Sequence, residues 1–489
     1  MRILFKVFPQ KSHLNATFPL ARTLRAHGHD VIYAGVEQLR WHVEVQGHRY
    51  SVQNRDIFPY LEPGPGAPKL TGWTMLRETF RHRAWAAGLR ARQARCAVFD
   101  ELVQREQPDL VLVDSPYAVF ALNLMRLGVP FALLESMGNL GRAPGFPPGD
   151  TTHVPRGGWT GRLWAAAHWQ RYYLKRWLMG AAGIRLDFNR AFVREMARAN
   201  RVDPVAIDFE RYFHLGLTRV PEFILSPREF DFPRAVAPNQ YHIGPSVELD
   251  REEAACDYRF NSAFGRLVRA RKKGTPLVYC SLGTAAWRYA GAEKFIARVV
   301  AAARGATWNL LLATGTELEL PPSRSRPENV EIFQVVPQLQ VLRNCDAMIT
   351  HGGMNSITEC LLTGVPMAVC PGTTQIDQGG NAARVAFHQL GLTGGMKQAS
   401  VAWIRRQLDR ILHEPAYRRR VEAMGRRIRD SRAYADGAGI LLDTVRRHYP
   451  GLDKGRPRPR DSGTMDGAHP VPGAQAGVVE IKAPAGTSA

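Results

Sequence analysis

At 489 residues and 45% hydrophobic content, the chain has material for two or three domains, and wholly disordered, collagen-like or disulfide-stapled architectures are excluded. A count of 65 Lys and Arg against 44 Asp and Glu gives a formal net charge of +21, a surface that favours phosphates, nucleic acid or acidic lipid. The six cysteines contain no CxxC pair and make no disulfide framework, so a reduced, cytoplasmic setting is expected.

In chain order, residues 2–8 form a short apolar run that reads as a strand, and Lys6 interrupts it too early for a secretory leader. Loop signals follow from Pro9 to Ser12. Leu14, Phe18, Leu20, Ala21 and Leu24 then take helical spacing that ends at Gly28, before a second strand at 31–34. This βαβ unit predicts a parallel sheet. Residues 73–106 and 159–201 read as long Arg-rich helices, and 110–114 and 130–134 as strands. The longest apolar stretch, 117–134, carries Asn123, Arg126 and Pro130 and is a poor membrane span. Pro, Asp and Glu dominate 226–262, which reads as an interdomain connection. A second α/β series follows, with strands at 276–281, 308–313, 330–334, 346–350 and 366–370 and helices at 290–304, 354–363 and 417–448. The expected domains are 1–235 and 236–450, both Rossmann-like. The tail 451–489 holds 12 Pro and Gly in 39 residues and no aromatic residue, so disorder is expected there.

The strongest chemical signal lies at 346–381. A strand runs into Thr350-His351-Gly352-Gly353-Met354-Asn355-Ser356 and then into a helix carrying Glu359. Glycines at such a turn let backbone approach a ligand, and the helix N-terminus offers unpaired N–H groups to a phosphate. Glu359, one turn beyond Asn355, suits ribose hydroxyls. The pair Asp377-Gln378, on a loop after the next strand, suits sugar hydroxyls. In the first half, His13 follows the first strand and Asp114 ends a later one. Ligands of open parallel sheets bind beyond the carboxyl ends of strands. A carboxylate beside His13 would fix its tautomer and stabilise its charged form.

Val336-Pro337-Gln338, His351-Gly352-Gly353, Asn355-Ser356, Glu359, Gly364-Val365-Pro366, Pro371, Asp377-Gln378 and Asn381-Ala382, in that order, resemble the signature region of family 1 UDP-sugar glycosyltransferases. The likeness extends to Ser281-Leu282-Gly283-Thr284 and Gly244-Pro245. It implies a GT-B fold, with two doubly wound parallel-sheet domains facing a cleft. It further implies that His13 deprotonates the acceptor hydroxyl with Asp114 in support. His351 would touch the diphosphate among Thr284, Gly353, Asn355 and Ser356. Gln338 would lie near the nucleoside, Glu359 on the ribose, and Asp377 and Gln378 on the donor sugar. By the same analogy the last helix packs back onto the first domain. The sequence departs from plant members, which have Trp where this chain has Val335, and its loop from Pro371 to Asp377 is longer than usual. Both leave the base and the sugar open.

The reaction implied is a single inverting displacement in which a hexose, by default from UDP-glucose, passes to a small apolar hydroxylated acceptor without a metal. Two other readings stand beside it: a sugar-nucleotide epimerase of the same fold, and a non-catalytic homologue that binds nucleotide and activates a partner enzyme. The stretch 151–201 sets ten Lys and Arg against Asp187 and Glu195 and holds four Trp: Trp159, Trp164, Trp169 and Trp177. One reading makes it a peripheral contact with an anionic membrane at its inner face. The other puts the Trp residues in a core or acceptor pocket and the Arg residues in water. No recognition motif accompanies the charge, so nucleic acid is not an expected partner.

Overall fold

The computed structural model describes residues 1–53, 99–181, 189–245, 247–251, 253, 257–283, 286, 289, 291–315, 326–372 and 377–452. Most of the expected 73–106 helix, Thr284 and the tail from 453 lie outside them.

The first half is built on strands β1 (Arg2–Lys6), β2 (Asp30–Gly35), β3 (Arg49–Val52), β4 (Leu110–Asp114) and β5 (Phe131–Glu135). A small antiparallel pair, β6 (Ile207–Asp208) and β7 (Gly216–Leu217), precedes β8 (Glu222–Ile224) and β9 (Gln240–His242). The main sheet has the order β3-β2-β1-β4-β5-β8-β9, and all its pairs are parallel. Every residue of β4 and β5 is buried, as strands covered by helices on both faces require. The helices are α1 (Lys11–Ala26), α2 (Arg40–Glu44), α3 (Asp100–Glu106), α4 (Leu122–Arg126), α5 (Gly158–Ala181) and α6 (Arg190–Ala199). The expected helix over 159–201 is thus two helices, with 182–188 outside the described residues.

The second half carries β10 (Leu277–Ser281), β11 (Asn309–Ala313), β12 (Val330–Phe333), β13 (Ala347–Thr350), β14 (Met367–Val369) and β15 (Gly391–Thr393). They form a parallel sheet of order β12-β11-β10-β13-β14-β15. Around it lie α7 (Phe260–Lys272), α8 (Ala292–Ala303), α9 (Gln338–Leu342), α10 (Met354–Thr363), α11 (Gln378–Phe387), α12 (Val401–His413), α13 (Pro415–Arg429) and α14 (Arg432–His448). The expected single helix over 417–448 is broken at Asp430-Ser431, where the Ser431 hydroxyl accepts from the Tyr434 N–H at 3.2 Å and caps α14.

The sheets do not respect a simple division of the chain. β9 extends the first sheet past the expected boundary at 235/236. α14 returns from the far end to cover α1, with Ala438, Leu441, Leu442 and Val445 packed among Ile3, Phe5, Leu14 and Ala21. The short strands β3, β8 and β9 were not anticipated. They are three or four residues long, and β8 and β9 sit in a Pro-rich stretch with no alternation to read.

Candidate active site

The order of each sheet reverses between its two central strands, β1 and β4 in the first half and β10 and β13 in the second. A crevice opens beyond their carboxyl ends. In the first crevice His13, in the opening turn of α1, meets Asp114 at the end of β4: His13 Nδ1 lies 2.7 Å from Asp114 Oδ2. The same oxygen accepts from the Phe8 N–H at 3.0 Å, and Asp114 is only 2% exposed. Ser136, just after β5, places its hydroxyl 3.1 Å from His13 Nδ1. With Nδ1–H donated to the carboxylate, Nε2 carries the lone pair. Burial works against the charged imidazole, but Asp114, aided by Asp377, outweighs it and raises the His13 pKa above its ordinary value.

In the second crevice His351 follows β13. Glycine is required around it. Gly283, at φ +75°, would bring a Cβ to 2.6 Å from His351 Cε1, and Gly353 would bring one to 2.6 Å from Nε2. The ring also stacks on Tyr289, with centroids 5.9 Å apart. Burial drives the His351 pKa down to about 4, so the ring is neutral near pH 7. Its buried Nδ1 meets no hydrogen-bond partner among the described residues. Beside it, α10 begins at Gly353 without a side-chain cap, leaving its first N–H groups facing the crevice. Ser356 lies in the first turn, largely buried.

The other expected donor residues are brought to this crevice but are already engaged. Glu359, 3% exposed, accepts from Arg251 at 2.7 Å and from the Gln338 amide at 2.6 Å. Gln338 Oε1 accepts from the Tyr279 hydroxyl at 3.1 Å. The Gln378 carboxamide accepts from the Gly372 N–H at 3.0 Å and donates to the Tyr289 hydroxyl at 2.8 Å, so it shapes the loop from within. The Asn355 amide reaches across the cleft to the Ser12 carbonyl at 3.0 Å. Asp377 accepts from Asn381 at 2.8 Å; burial raises its pKa to about 6, with Asn381 and His13 holding it from rising further. Val335 is exposed at the sheet edge. Thr284 and residues 373–376 lie outside the described residues.

Several residues of this region were not anticipated. The loop after β5 lies against the start of α11, where the Gly380 N–H donates to the Gly149 carbonyl at 2.8 Å. Asp231 binds Arg234 at 3.0 Å and Arg384 of α11 at 2.9 Å. Arg234 in turn donates to the carbonyls of Asn139 and Gly141. This buried cluster locks the loop, the connection and α11 together. It borders a cavity of about 20 Å³, room for about one water, lined by Met137, Leu140, Trp169, Tyr212, Phe232 and Asp377. Sequence carried one signal for Ser136, its place at a strand end in the His13 layer, and none for Arg251 or Asp231. Among the described residues no group of three His, Cys, Asp or Glu side chains is arranged to hold a metal ion.

Several known proteins similar to this chain are named as glycosyltransferases. Residues 310–442 match the model of the erythromycin biosynthesis protein CIII-like C-terminal domain. The chain is 22% identical to the NDP-glycosyltransferase YjiC of Bacillus subtilis (strain 168), over 86% of this chain and 92% of the relative. It is 26% identical to the oleandomycin glycosyltransferase of Streptomyces antibioticus, over 90% and 88% respectively. The crystal structure of the glycosyltransferase VinC in complex with dTDP superposes with a TM-score of 0.57 at 19% identity, over 91% of this chain and all of that one.

Proposed function

We propose that the chain is a family 1 glycosyltransferase of GT-B fold that moves a hexose from a nucleotide diphosphate sugar to a hydroxyl of a small apolar acceptor, with inversion. The observation that carries this reading is the His13–Asp114 pair at 2.7 Å, close enough to Asp377 that each side shifts the titration of the other. In this reading His13 is the proton acceptor in the first half and Asp377 the sugar-hydroxyl acceptor in the second.

In this mechanism His13 Nε2 takes the acceptor's hydroxyl proton. The freed oxygen forms a bond to the anomeric carbon as the bond from that carbon to the diphosphate oxygen breaks. Asp114 holds the imidazole and stabilises the charge it gains. The leaving diphosphate collects negative charge at the N-terminus of α10, where backbone N–H groups, Ser356 and neutral His351 face it. No metal is needed to neutralise it. Glu359 is read as the ribose contact, with Gln338 and Arg251 setting its orientation, and Asp377 as the donor-sugar contact. The half built on the first sheet, with β9 and α14, is read as the acceptor side and the half built on the second sheet as the nucleotide side.

UDP-glucose is the first donor to test and dTDP-sugars the second, since VinC was crystallised with dTDP. An apolar acceptor with a hydroxyl suits a cavity where Met137, Leu140, Trp169 and Phe232 stand beside Asn139, Arg234, Asp377 and Arg384. The test is nucleotide release from a panel of sugar donors, with and without hydroxylated hydrophobic acceptors. Acceptor-dependent release of UDP or dTDP that is lost in His13→Ala is expected. Tight nucleotide binding without turnover by any pair would favour the activating homologue, and absence of nucleotide binding would overturn the reading.

A further inference from the structure

Helix α5 has two apolar faces. One is internal: Trp169 and Tyr172 pack with Met137, Leu140 and Tyr212. The other is exposed and has no cover among the described residues. Trp159 is 73% exposed, Leu163 61%, Leu174 58%, Trp177 64% and Leu178 54%. At about 100° per residue these five fall within one sector of about 100°. Trp159 and Trp177 sit on the same line of the helix, about 27 Å apart. Exposed Arg162, Arg171 and Lys175 border the sector, and α5 contains no Asp or Glu. Val154 and Arg156, in the segment leading into the helix, are exposed as well. The nearby carboxylate Asp150, which feels Lys175 and Arg171, is itself buried.

An apolar stripe ringed by cations constrains its occupant. A second copy meeting it across a twofold axis would set cation against cation, with no acidic residue on the helix to pair them. No described helix is long and apolar enough to cross a membrane. An anionic lipid surface satisfies every part: apolar side chains enter the acyl boundary, Trp rings sit at headgroup level, and Arg and Lys meet the lipid phosphates. We propose that α5 docks the protein, lying in the plane of an anionic bilayer, through Trp159, Leu163, Leu174, Trp177 and Leu178. The docking stands apart from the reaction. The opposite face of α5 carries Trp169, which lines the cavity beside Asp377, so a lipid-dissolved acceptor would reach the site along this helix; that last link alone rests on the glycosyltransferase reading.

The test uses the full chain and co-sedimentation with vesicles of phosphatidylcholine alone or mixed equally with phosphatidylglycerol. Wild type is expected to sediment with the anionic vesicles, to stay in solution with the neutral ones, and to be released by salt. Trp159→Ser/Trp177→Ser, both on exposed positions, is expected to lose about tenfold or more in partitioning. Arg162→Gln/Arg171→Gln/Lys175→Gln is expected to lose about fivefold per charge removed. Nucleotide release with a water-soluble acceptor, read in parallel, should be unchanged in the Trp variant. It separates failure of the docking from failure of the transferase reading. Wild type that stays in solution with both vesicles overturns the proposal. So does equal partitioning of wild type and the Trp variant, or a Trp variant whose only effect is to dissociate a dimer in sedimentation velocity.

Discussion

Two buried histidines stand at the crevices of the two sheets, and they are driven in opposite directions. His13 has carboxylates on its side: Asp114 at 2.7 Å, with Asp377 acting across the cleft, and its charged form is favoured despite burial. His351 has glycines and an aromatic ring around it and, among the described residues, no carboxylate that shifts it, so burial drives its pKa down to about 4. The same side chain thus stands in a setting that favours its charged form in one half and its neutral form in the other. Environment, not residue type, separates the roles.

That contrast can be broken at either end. The largest effect is expected for His13→Ala: a fall in kcat/KM of about 10²- to 10⁴-fold, as loss of a general base implies, with nucleotide affinity measured by calorimetry unchanged. His351→Ala should do the reverse and weaken nucleotide diphosphate binding. A hydrogen bond to a charged group contributes about 1.5–3 kcal/mol, or roughly 10- to 150-fold in Kd. This loss should be the same across pH 6–8, because the ring does not titrate there. Gly283→Ala should cost about 1–3 kcal/mol in a denaturant melt and also weaken nucleotide binding, since the new Cβ would occupy the space of the His351 ring.

The pH profile sharpens the comparison further. His13 must be neutral to accept a proton, and its pKa is raised, so kcat/KM should fall on the acid side from a point above 6.5. Asp114→Asn removes the main charge that opposes burial. The acid limb should then move to lower pH while the plateau rate drops. Asp377→Asn should move the limb in the same direction by less, because Asp377 stands behind Asp114 among the influences on His13. A limb that stays in place in both variants would mean that another group sets it.

Much of this was legible in sequence because parallel α/β folds put chemistry at strand ends. The βαβ pattern placed His13, the buried strand 110–114 placed Asp114, and the Gly352-Gly353 turn placed His351. What could not be read is what depends on side chains meeting across irregular chain. Arg251 and Asp231 lie in a stretch with no periodicity, yet one engages Glu359 and the other ties α11 to the loop after β5. Asn355 looked free for phosphate and instead spans the cleft to Ser12. The Trp residues of the Trp-rich stretch do not act as one set: Trp169 is interior, Trp159 and Trp177 face outward, and Arg176 is buried against the carbonyls of Phe209 and Arg211. Composition gave the stretch its charge but not the phase of its helix.

The return of α14 onto α1 bears on how the protein is made. The first sheet is translated before the second, but part of its cover, Leu441, Leu442 and Val445, lies beyond the whole second sheet in the chain, and the Tyr449 hydroxyl donates to the Phe131 carbonyl at 2.7 Å. Until that cover is made, Leu14 and its neighbours have no partner on that side. The nascent first half therefore carries an uncovered apolar surface throughout synthesis of the second, and a stop codon before residue 432 would leave it uncovered for good.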